Sequence, residues 1–160
     1  MSDRTNLLER FRCGPDIIEA AILPVEGGEL DYKPRPDRWS IREIAAHMAD
    51  SEMVAGMRFR QVVAEENPII RAYNQDAWAA RLGYQNRSPA VSLETFRRVR
   101  MDTYELLKDL ADETYVRMGH HSEHGAITLL DLLRIYAEHP EGHVLQVGGV
   151  REAYSHAQCK

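Results

Sequence analysis

Apolar residues recur at three-to-four spacing through four long stretches of this chain, and nowhere does a run alternate long enough to predict a strand. The first stretch spans about Thr5 to Leu23, with Leu7, Leu8, Phe11, Ile17, Ile18, Ala21 and Ile22 on its stripe. Gly14-Pro15 interrupts it and predicts a kink, because proline lacks the N–H that would bond the residue 11 carbonyl. A connector rich in turn residues follows, "PVEGGELDYKPRPDRW". The second helix is expected from Ile41 to about Glu66, opened by Ser40 and Glu43 as a capping box and closed by Asn67-Pro68. A short helix is expected over Gln75 to Leu82, with Trp78 as a plug for the core. The third long helix is expected to open at Ser92 and to carry Leu93, Phe96, Val99, Tyr104, Leu107 and Leu110. The loop "ADETYVRMGHHSEHGA" then leads to a last helix from about Ile127 to Tyr154, with Pro140 in its middle.

Four long helices with long connections predict an all-α, antiparallel-type four-helix bundle. A length of 160 residues with 44% hydrophobic content fits one core, and hence a single domain over residues 1–160. The formal net charge of −5 argues against a nucleic-acid partner, and the arginines of "FRRVR" read as a solvated helix face. The N-terminal residues lack the apolar block of a signal peptide and no membrane-spanning run occurs, so a cytoplasmic protein is expected. Cys13 and Cys159 have neither disulfide-framework nor metal-ligand spacing and read as free thiols.

The seven histidines are the candidate chemistry. His120, His121 and His124 sit in a polar loop and read as solvated, with a loop metal site as the alternative, while His156 lies in the tail. His139 and His143 are four apart, so on a helix both imidazoles face the same side and can reach a single ion. Pro140 complicates this, because it allows either a kinked helix or a break after Glu138 with a fresh helix starting at the proline. His47, midway along the second helix, reads as a core histidine on its own and as a third ligand if the bundle brings it opposite the last helix. Three neutral imidazoles without a fourth protein ligand leave a position open to water or substrate.

The stretch "RWSIREIAAHMADSE" resembles the second-helix signature of the DinB/YfiT-like superfamily through Trp39, Ser40, Glu43, His47 and Glu52. "HPEGHVLQV" is similar to its second signature, through His139, His143 and Gln146. The segments "LDYKPRPDRWS" and "AYNQDAWAARLGY" also match in position and type. The resemblance implies a four-helix bundle, commonly a homodimer, with His47, His139 and His143 as ligands of a divalent metal, and a nitrogen-rich open site suits zinc, nickel and iron alike, zinc or nickel being expected. It further implies a small-molecule substrate and either hydrolysis or a transferase or isomerase reaction using a low-molecular-weight thiol. A non-enzymatic binding or assembly protein with a core histidine cluster is the competing reading.

Around the expected site, Glu43, Asp50 and Ser51 are candidates to orient an imidazole or take a proton. Glu43 reads equally well as consumed by its cap, and Asp50 as exposed. Gln146 is placed to bond a ligand histidine or a substrate carbonyl, and Tyr73, Asp76 and Trp78 lie in the connector expected to cover the bundle mouth.

Overall fold

The computed structural model describes residues 3–159. Four long helices form the bundle: α1 (Asp3–Ile22), α3 (Ile41–Ala64), α5 (Pro89–Leu107) and α6 (Leu129–Gln158). Two short helices, α2 (Gly27–Asp31) and α4 (Gln75–Arg81), lie in the connections. A small sheet is added by β1 (Ile69–Ile70), β2 (Met118–His121) and β3 (Gly125–Thr128), with β1 parallel to β2 and β2 antiparallel to β3. The periodicity did not reveal this sheet, because its strands have four residues or fewer. It converts the polar histidine loop into a hairpin, turned at Gly125 with φ +75°, a conformation that favours glycine.

Local signals set most helix boundaries. Ser40 caps α3 through the Glu43 amide, and the Glu43 carboxylate accepts from the Ser40 amide, as the capping box predicts. The start of α5 corrects the sequence reading. Ser88 is the cap and Pro89 takes the first turn, where its missing N–H costs nothing, while Ser92 is buried inside the helix. The last helix begins at Leu129 rather than Ile127, behind a second capping box of Thr128 and Asp131.

The helix directions are mixed rather than purely antiparallel. On α1 and α6, Asp3 meets Arg134 and Arg10 meets Glu141, so these neighbours run parallel. On α3 and α5, Glu52 meets Arg100 and Arg60 meets Asp102, so these too run parallel. Across the bundle, α1 and α5 run antiparallel through Arg4 to the Leu110 carbonyl and Arg97 to Glu19. The pair α3 and α6 is also antiparallel, with His47 against His139 and Arg58 against Tyr136. Because α3 and α5 are parallel, residues 65–88 must return along the whole length of the bundle. That return segment carries β1, α4, Tyr73 and Trp78.

The core falls into two large apolar clusters and a small one of Ala46, Ala79 and Tyr84. Of the large ones, one gathers Leu7, Phe11, Phe59, Leu107, Leu133 and Tyr136, and the other Ile18, Ile22, Ile44, Met48, Phe96 and Val147. Between them, along every long helix, lies a polar layer. Arg100 and Glu52, both 0% exposed, form a bidentate pair of 2.7 and 2.6 Å. The guanidinium stacks over the Phe11 ring at 3.9 Å and donates to the Phe11 carbonyl at 3.0 Å. That carbonyl is the one Pro15 leaves without an intrahelical donor, so α1 is assigned as one helix through Pro15 with the lost bond replaced. Gly14 makes room for this: a Cβ there would stand 2.9 Å from both Arg100 Nη1 and Pro140 Cγ.

The arginines of residues 96–100 do not form a free basic patch. Arg97 pairs with Asp16 and Glu19, Arg98 with Glu94, and Arg100 with Glu52. Cys13 and Cys159 are free cysteines. Among the described residues, no helix is long and apolar enough to cross a membrane.

Candidate metal centre

Helix α6 passes through Pro140 as a single 30-residue helix, so neither the break nor a restart is needed. His139 and His143 therefore keep their one-turn relation, and the antiparallel packing of α3 sets His47 opposite them. The His139 Nε2 lies 3.2 Å from His47 Nε2 and 3.0 Å from His143 Nε2. Imidazole nitrogens around a tetrahedral ion at about 2.05 Å stand roughly 3.3 Å apart, so the observed spacing is close to that of a ligand set. A proton shared between two nitrogens satisfies one such contact, whereas a cation accepts all three lone pairs. Among the described residues, no fourth His, Cys, Asp or Glu joins this group.

The surroundings favour the ligand form of each ring. Burial pushes the His47 pKa down to about 3, with repulsion from His143 adding to it. Burial is also the largest cause of the lowered values of His139 and His143. All three imidazoles are thus neutral near pH 7, with lone pairs available. The Gln146 carbonyl oxygen accepts from His143 Nδ1–H at 2.8 Å, which fixes the tautomer whose Nε2 is free to bind. Trp39, half-buried, packs over His47 with ring centroids 4.7 Å apart. The Nδ1 atoms of His47 and His139 are buried without a hydrogen-bond partner. This donor set fits a divalent transition-metal ion.

The other candidates sort differently. Glu43 is consumed by its cap and by Lys33 at 2.7 Å, and makes no bond to His47. Asp50 is buried, not exposed, because Arg87 at the end of the return segment pairs with it at 2.7 Å. Asp76 is exposed, and Trp78 is half-buried with its ring against Tyr73, 4.4 Å between centroids. His120 and His124 are exposed as expected, but His121 is buried, since alternation along β2 turns it inward. His121, Glu123 and His124 also come within reach of one ion. They make a poorer ligand set, because His121 Nδ1 accepts from the Glu123 amide and the neutral ring must then carry its proton on Nε2.

A cavity of about 210 Å³ reaches one of the three histidines, His139, with Ser51, Arg58, Tyr73, His121 and Tyr136 also in its wall. Burial pushes the Tyr136 phenol up to about 12, so near pH 7 it is a hydrogen-bond donor rather than a base. Arg58 and His121 were not among the sequence candidates for this wall. No local motif marks either one: Arg58 lies on α3 two turns beyond Ser51, and His121 arrives through the sheet.

The comparisons with known proteins agree with this architecture. A protein of Oceanobacillus iheyensis named "putative metal-dependent hydrolase" is 29% identical over 133 residues, which cover 83% of this chain and 77% of that one. YfiT of Bacillus subtilis, which carries the same description, is 28% identical over 134 residues, covering 83% and 75%. The solved YfiT structure, described as having an unusual four-helix bundle topology, superimposes with a TM-score of 0.88 at 25% identity over 97% of this chain and 90% of that one. The family profile of the DinB superfamily matches residues 11–147, a span that contains the capping box of α3, the return segment and all three converging histidines, and the chain belongs to that superfamily.

Proposed function

We propose that this protein is a metal-dependent enzyme, a hydrolase acting on a small molecule, with His47, His139 and His143 as the ligands of one zinc or nickel ion. The observation that carries the reading is the convergence of three neutral Nε2 atoms, that of His139 belonging to a ring in the wall of a cavity, with no fourth protein ligand among the described residues. A divalent cation bound there supplies a Lewis acid that lowers the pKa of a water, or of a thiol, in the open position. The rest is done by the chain. Gln146 holds the His143 ring in its binding tautomer, and Trp39 keeps solvent from the back of His47. Tyr73 and Trp78 on the return segment stand beside the cavity and its neighbouring groove, and Tyr136 offers an O–H toward a substrate oxygen. The hydrolase names of the relatives support this choice of reaction. A homodimer belongs to the same proposal on family resemblance, and a cytoplasmic location belongs to it on the sequence reading.

Elemental analysis of the purified protein and of His47→Ala tests the centre. About one ion per chain is expected in the first and a large loss in the second. Full occupancy in His47→Ala would remove the three-histidine site. Full loading without turnover, on panels of hydrolytic and thiol-dependent substrates, would instead favour the binding-protein reading.

A further inference from the structure

Nearly every cation of the described chain that is not exposed has a carboxylate within ion-pair distance, including Arg4, Arg10, Arg42, Arg87, Arg97 and Arg100. Arg58 on α3 does not, although it is half-buried, whereas Arg38, Arg71 and Arg81, which also lack such a partner, are exposed. Two of its five N–H groups are used, toward the Tyr136 hydroxyl at 2.9 Å and the Arg71 carbonyl at 2.7 Å. Its Nε is buried without a partner. A half-buried guanidinium that faces only neutral acceptors, with its Nε shut off from solvent, is one that an anionic ligand would complete.

The surrounding wall is made of donors. Tyr136 accepts from Arg58 and so keeps its own O–H free to donate. The Tyr73 hydroxyl, beside Ser51, is buried without a well-formed hydrogen bond. His121, whose Nδ1 accepts from the Glu123 amide, presents Nε2–H as a donor when neutral. All of these line the cavity that also reaches His139, and the one carboxylate in its wall, Glu123, is exposed. Tyr136 and His139 are one turn apart on α6, their rings 6.3 Å between centroids.

We propose that Arg58, with the Tyr136 hydroxyl, is the anchor for a carboxylate of the substrate, so that the enzyme acts on small carboxylate-bearing molecules whose reacting group lies a few bonds from that carboxylate. This inference rests on the metal centre proposed above. It makes Arg58 a determinant of specificity and gives the short distance between Tyr136 and His139 a function as a ruler.

The test uses the cobalt(II)-loaded protein, titrated with 3-mercaptopropionate and with 3-mercapto-1-propanol while thiolate-to-cobalt absorption is followed. The acid is expected to bind the unmodified protein about tenfold more tightly than the alcohol. In Arg58→Met the preference collapses, while cobalt stoichiometry and affinity for the alcohol hold. In Arg58→Lys, which keeps the charge without the fork, part of the preference returns. Equal binding of acid and alcohol to the unmodified protein overturns the anchor, with no variant needed. A preference that survives in a folded Arg58→Met, checked by circular dichroism, overturns it as well. Failure of the unmodified protein to take up cobalt is a different outcome, visible before any thiol is added, and overturns the metal centre and the anchor together.

Discussion

Two polar clusters share the waist of this bundle, and they are finished in opposite ways. In the first, both oxygens of Glu52 receive a guanidinium N–H of Arg100, a third N–H goes to the Phe11 carbonyl, and the faces of the guanidinium stack on Phe11 and Phe96. Each nitrogen of that guanidinium and both oxygens of that carboxylate have a partner. In the second, three histidine nitrogens point at one another, and the Nδ1 atoms of His47 and His139 have no partner. Burial and polarity are therefore common to both clusters, and unmet valence tells them apart.

The contrast can be broken from its closed side first. Arg100→Met strands the Glu52 carboxylate in the core and is expected to cost about 3–5 kcal/mol in urea unfolding. The double change Glu52→Leu with Arg100→Met should recover much of that. A single-variant loss below about 1 kcal/mol would mean that the pair is not holding the waist together.

The open side responds to acid. His47 falls from 6.5 to about 3 in the fold, so between those values the unfolded chain binds a proton that the folded chain refuses. Stability of chelator-treated protein is thus lost as pH falls below about 6.5, by roughly 2 kcal/mol at about pH 5 for this one ring. Unfolding curves at the two ends of that window should show the loss, and His47→Leu should reduce it, with His139 and His143 contributing what remains. The smallest effect is expected at Gln146. Gln146→Leu frees the His143 tautomer and should weaken zinc binding about tenfold in a chelator competition, with little change in the unfolding midpoint.

What could be read from the sequence divides along the same line as local and distant contacts. The cap of α3 was legible because Ser40 and Glu43 bond each other within one turn. His139 and His143 were legible because helical spacing alone puts them on one face, and the resemblance added His47. The start of α5 lies at Ser88 rather than Ser92, marked locally by the proline that directly follows the cap and takes the first helical position, while Ser92 is buried inside the helix. The sheet was hidden by the shortness of its strands, and with it the inward turn of His121. Asp50 looked exposed because its partner Arg87 lies 37 residues away, and the Glu52 and Arg100 pair spans 48 residues. No pattern within a single helix announces such a pair.

The helix order also dictates when the centre can exist. His47 and His139 are 92 residues apart and belong to helices joined only after the return segment and α5 have been laid down. Loop closure of that length comes late in folding, once the intervening elements have paid part of its entropy. A chain emerging from synthesis holds one of the three histidines through most of its growth, and an ion on the proposed centre would be held tightly only once α6 docks. Metal uptake there would thus report that the last helix has reached its place.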